Sequence, residues 1–105
     1  MFIASFEDEP AFPPERRDKH VLYEDETLTM RLVDLGEGDE IPHCQMRESV
    51  LFYVLEGIVT ITVDDTDATL RKGQCLITRP ATLSMRAHER TRIMGVQVPA
   101  PEDAT

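Results

Sequence analysis

The sequence predicts an all-β fold, a barrel or sandwich of short strands, on three observations. Between residues 20 and 98, apolar residues either alternate with polar ones or run in short β-branched stretches. Turn residues separate these stretches, and no segment carries a sustained helical period. At 105 residues the chain has room for one domain with one modest core. Apolar residues make up 41% of it, and with Trp absent and aromatics few that core must be aliphatic.

Residues 1–19 read as an N-terminal arm. Pro10, Pro13 and Pro14 interrupt them, and Phe2, Ile3, Phe6, Ala11 and Phe12 sit among acids. Such a segment cannot fold alone, yet it carries apolar side chains, so it either packs on the barrel or a partner subunit or stays a partly disordered tail. The barrel domain is expected over residues 20–98, beginning with Val21-Leu22-Tyr23 and the acidic break Glu24-Asp25-Glu26. Thr27 to Leu35 then alternates, with Leu28, Met30 and Leu32 on one face and Thr29, Arg31 and Val33 on the other. Gly36-Glu37-Gly38-Asp39 turns the chain into an extended piece from Ile41 to Met46, where Pro42 argues against a central ladder position. Val50 to Leu55 is a continuous β-forming run, and Glu56-Gly57 turns it into Ile58 to Val63, the clearest strand of the chain. Asp64-Asp65-Thr66-Asp67 reads as a turn, and Ala68 to Arg71, Cys75 to Thr78, Leu83 to Ala87 and Arg92 to Val98 complete the set. Residues 99–105 read as a C-terminal tail.

Charge narrows the partners. Twenty acids against eleven bases give a net charge of −9, which repels nucleic-acid backbones. The one basic run, Glu15-Arg16-Arg17-Asp18-Lys19, is mixed and reads as solvated. Neither nucleic acid nor membrane is an expected partner, since no apolar run approaches the ~20 residues of a membrane helix. The first residues lack the pattern of a secretory signal, so a cytoplasmic location is expected, with Cys44 and Cys75 as reduced thiols. The two cysteines have no C-x-x-C spacing, which leaves little basis for a zinc or redox site.

Two stretches carry a resemblance. The first is Gly38-Asp39-Glu40-Ile41-Pro42-His43-Cys44-Gln45-Met46 with Val50-Leu51-Phe52-Tyr53-Val54-Leu55-Glu56-Gly57, and the second is Gly73 to Met85. Together they resemble the two motifs of the RmlC-like cupin barrel family over roughly residues 20–98. The resemblance implies a cupin-type double-stranded β-helix, or jelly-roll barrel. It also implies an inward-facing metal site made of two His and one Glu from the first motif and one His from the second. Residue by residue, this chain departs from that set. Counting back from Gly57 puts Val50 at the Glu position. Counting forward from Gly38 puts Cys44 and Met46 at the His positions, and a one-residue shift puts His43 and Gln45 there. The fourth position falls on Ser84, or on Met85 when Pro80 is the anchor.

The expected reading is therefore a metal-free barrel with no cofactor, binding a small and largely apolar molecule or serving a regulatory role. His43, Cys44, Gln45, Met46, Val50, Phe52, Ser84 and Met85 are the candidate ligand-binding residues. Which of residues 43–46 face inward stays open, because a one-residue slip exchanges the faces of a strand. A soft Cu(I) set of Cys44, Met46 and Met85 is weighed against ordinary apolar filling by the same residues. An alternative is a metal-dependent cupin enzyme, an oxygenase or isomerase, holding its ion through His43, Gln45 and His88. A third reading is an interaction module, a homodimer formed through Leu51, Tyr53 and Leu55 on the outer face with help from the arm. His20 and His88 are expected at the solvent surface.

Overall fold

The computed structural model describes residues 1–10, 12 and 20–99. Nine strands form among them: β1 (Val21–Glu24), β2 (Thr29–Leu35), β3 (Glu40–Gln45), β4 (Glu48–Glu56), β5 (Ile58–Val63), β6 (Thr66–Arg71), β7 (Cys75–Thr78), β8 (Thr82–Ala87) and β9 (Thr91–Pro99). They pair antiparallel into a five-stranded sheet, β1-β2-β9-β4-β7, and a four-stranded sheet, β3-β8-β5-β6. The chain crosses repeatedly between the two sheets, as a jelly roll does, and the expected all-β barrel is the fold it adopts.

Two strand boundaries differ from the alternation for local reasons. β2 starts at Thr29 because Asp25 captures the two residues before it. Its Oδ1 accepts from the amides of Thr27 (2.7 Å) and Leu28 (3.0 Å), and its Oδ2 accepts from the Tyr23 hydroxyl at 2.5 Å. These bonds, the Tyr23 hydroxyl first, lower the Asp25 pKa from its ordinary value. The expected turn over residues 64–67 shrinks to Asp64-Asp65. Thr66 already pairs with Val63, and the Thr62 hydroxyl donates to Asp67 Oδ1 at 2.7 Å. Asp64 takes the left-handed conformation (φ 54°), which a short polar side chain tolerates.

Gly57 is the tightest point of the fold. Its φ is +93°, and a Cβ there would lie 2.3 Å from the Arg90 carbonyl oxygen and 2.7 Å from Thr91 Cα. The β4–β5 turn thus rests directly on the β8–β9 connection. The buried Thr91 hydroxyl shares its proton between the carbonyls of Glu89 (2.8 Å) and Ile58 (3.1 Å). This end of the barrel is closed and packed: Leu35, Val54, Val59, Ile61, Ala87 and Ile93 form one buried cluster.

The described part of the arm lies on the five-stranded sheet. Arg92 donates through Nη1 to the carbonyls of Phe6 (2.8 Å) and Glu9 (3.2 Å). The Phe2 ring sits 5.1 Å from that of Tyr23, and Phe12 forms a bridge with Val33. Residues 11, 13–19 and 100–105, the whole of the expected basic run and most of the expected tail among them, lie outside the described residues.

Candidate functional site

Opposite the closed end, the space between the sheets opens into a cavity of about 370 Å³. That size lies at the lower end of the ~300–1,000 Å³ usual for small-molecule sites. Its walls are mostly apolar, with Val33, Ile41, Met46, Phe52, Leu83 and Met85 contributing from both sheets. Among the described residues, the few polar side chains that reach it belong to His20, Arg31, Cys44 and Gln97.

A β-bulge decides which side chains enter. Ile41 pairs with Met85 and Cys44 pairs with Leu83, so Pro42 and His43 together stand opposite the single residue Ser84. Proline has no amide hydrogen to give the ladder, and β3 is an edge strand, where such an irregularity is tolerated. The extra residue shifts the phase of everything after it. Ile41 faces inward, and so do Cys44 and Met46 rather than His43 and Gln45.

The candidate residues separate accordingly. Cys44 and Met46 line the cavity, with the thiol directed at the Met46 sulfur at 3.8 Å. Val50 is 2% exposed and packs with Ala81 and Leu83 beside the cavity, while Phe52 forms part of its wall. Met85 points inward and is buried. Ser84 borders the cavity, but it pairs with Thr62 and shares that residue's outward face by alternation. His43 is exposed and absent from the wall, and Gln45, also exposed, accepts from the Thr82 hydroxyl at 3.0 Å. His88 is exposed as expected and bonds the Thr60 hydroxyl at 2.6 Å on the outside of the four-stranded sheet.

The inward set is a poor match for the divalent ion that cupin barrels commonly hold. At the positions where the motif resemblance implies two imidazoles and a carboxylate, the wall has a thiol and a thioether, and a buried valine lies beside it. Among the described residues, no three His, Cys, Asp or Glu side chains come together as a metal site. His43, Gln45 and His88 do not form a common site on the wall either.

Several wall residues escaped the sequence reading. His20, expected at the surface, is 6% exposed and lines the cavity: the chain entering β1 carries it inward, and its carbonyl accepts from the Leu32 amide at 2.8 Å. Arg31 and Val33, rather than Leu32, take the inner face of β2. Leu32 is buried at 0% exposure on the opposite face, the side to which alternation assigns it. The signal for Arg31 was its place in phase with Val33, but leucines on the alternate face masked it. Gln97 belongs to the inward series of β9, with Ile93 and Gly95.

Comparison with known structures agrees with this fold. A Streptococcus pyogenes protein of unknown function aligns at TM-score 0.78 and 18% identity, over 95% of this chain and 89% of its own. A cupin superfamily protein of Desulfitobacterium hafniense aligns at 0.72 and 16% identity, over 76% and 74%. Salicylate 1,2-dioxygenase from Pseudaminobacter salicylatoxidans aligns at 0.67 and 20% identity, over 70% of this chain but 21% of that larger enzyme. No protein-family model and no curated protein sequence matches the chain. The fold is that of a jelly-roll barrel open at one end. More particularly, the fold is the one seen in small cupin proteins. No helix among the described residues is long and apolar enough to cross a membrane.

Proposed function

We propose that this cupin domain is a metal-free binding module for a small, largely apolar molecule. The supporting observation is the side-chain set carried inward after the β3 bulge: Cys44, Met46 and, beside them, Val50 and Met85. Sulfur and aliphatic surface attracts apolar matter and offers a hard cation little. Catalysis through a metal held by His43, Gln45 and His88 is disfavoured, because those side chains lie off the wall. Replacing His43 by Ala should therefore leave both binding and metal content unchanged. Ligand-observed NMR with neutral apolar molecules, such as benzamide and octanamide, tests the reading. Saturation transfer that disappears when Met46 is replaced by Lys supports it, and no transfer from any probe refutes it.

We also propose that the protein pairs with a second copy in the cytoplasm through its five-stranded sheet. The favouring observation is an apolar outer face: Ile77, on edge strand β7, is 71% exposed and Val98 is 43% exposed, with Leu51, Tyr53 and Leu55 half-buried beside them. Light scattering at micromolar concentration should give twice the chain mass, and a monomer would refute this pairing.

A further inference from the structure

Among the described residues Arg31 is the one arginine or lysine on the cavity wall, and its surroundings define a ligand class. It stands in a row across three strands, with Gly95 beside it on β9 and Phe52 beyond on β4. Gly95 keeps the middle of that row bare: a Cβ there would come within 3.3 Å of Phe52 Cε1. The aromatic ring and the guanidinium therefore flank open floor. Gln97 holds the guanidinium in place by accepting from Nε at 2.8 Å, and among the described residues both terminal Nη groups stay free to form a fork. Among the described residues no carboxylate pairs with Arg31. The acids that form ion pairs, Glu56 and Asp34, meet Lys72, Arg90 and Arg92 instead. Arg31 also lies toward the open end, since the residues inward of it on its own strand are Val33 and then the fully buried Leu35.

Building on the apolar-binding reading, we infer that the cavity takes a monocarboxylate with an apolar body, its carboxylate forked on Arg31 and its body against Phe52, Met46 and Met85. A half-buried guanidinium stays charged at any ordinary pH and is incompletely satisfied by a neutral amide oxygen. A planar two-oxygen anion matches its fork. The one guanidinium among the described wall residues, in a chain of net charge −9, suits one negative charge better than the two of a phosphate monoester.

The test is isothermal titration of the full-length protein with benzoate and octanoate, each beside its neutral primary amide. The acid should bind at least about 10-fold tighter than its amide. Arg31→Gln should bring the ratio close to one while leaving amide affinity in place, and Arg31→Lys should keep only part of the preference. Acids and amides binding equally to the unaltered protein would overturn the carboxylate assignment and leave the apolar reading standing. Binding of neither would overturn both. The acid-to-amide ratio of the unaltered protein decides the matter even if a variant fails to fold.

Discussion

The two ends of this barrel use the same strands for opposite purposes. At the closed end Leu35, Val54, Val59 and Ile61 are fully buried against one another, and Gly57 lets the β4–β5 turn sit on the β8–β9 connection. Toward the open end the same inward series continue as Val33 and Arg31 on β2, as Phe52 on β4 and as Gly95 and Gln97 on β9, and there they stand apart around a cavity. The difference teaches that core packing and cavity lining are divided along the strand direction. Leu35, Val54 and Ile93 close the core on their strands, and the residues next in phase line the cavity instead.

The comparison breaks first at the closed end. Gly57→Ala forces a left-handed conformation on a side chain and pushes its Cβ into the Arg90 carbonyl. A loss on the order of 3 kcal/mol is expected in urea unfolding. A cost no larger than that of a surface substitution would mean the turn does not bear on the loop as described.

At the open end, restoring the ligands absent here should create a metal dependence. Cys44→His, Met46→His, Val50→Glu and Met85→His in one chain place imidazoles and a carboxylate on the inward positions. Without metal, the uncompensated glutamate should lower stability by roughly 3 kcal/mol. Adding Zn²⁺ or Mn²⁺ should raise the melting temperature by several degrees, on the order of what a bound ion contributes. A thermal shift indifferent to metal would show that these positions do not converge.

A finer contrast separates the two thiols. Cys75 is exposed on the edge strand β7 and Cys44 is half-buried on the cavity wall. Under native conditions a thiol reagent should modify Cys75 at least about 10-fold faster, since access governs the rate. An apolar ligand should slow the Cys44 phase alone. Equal rates would place Cys44 outside the cavity.

The smallest expected effect lies in the β1–β2 turn. The lowered Asp25 pKa means the folded state favours the carboxylate. Its contribution to stability is therefore present above the unfolded pKa and lost as pH falls through the depressed folded value. Asp25→Asn should cause a slight destabilisation at neutral pH that vanishes in acid. A difference from the parent that grows in acid would have the wrong sign.

Much of the fold was legible because turns and strands are local. Gly36-Glu37-Gly38, Gly57 and Lys72-Gly73 all lie at strand ends, and every expected strand is present within one or two residues, Thr27 and Leu28 having joined the Asp25 turn. The inward set was not legible. Alternation alone leaves residues 43–46 ambiguous, and only the cross-strand pairing of Ile41 with Met85 and Cys44 with Leu83 reveals the bulge that chooses between them. His20 was unreadable for the same reason, since its burial depends on contacts remote in sequence. Arg31 shows the converse: its phase was visible, but the inner face of β2 could be identified only from the strands around it.

Elemental analysis tests the central claim most directly. The unaltered protein would be expressed in medium supplemented with manganese, iron, nickel and zinc, purified without chelator and digested for mass spectrometry. With a thiol, a thioether and Val50 on and beside the wall where ligands would converge, each metal should fall well below one equivalent per chain. One equivalent of any of them, lost when Cys44 and Met46 are both replaced by Ala, would contradict the account.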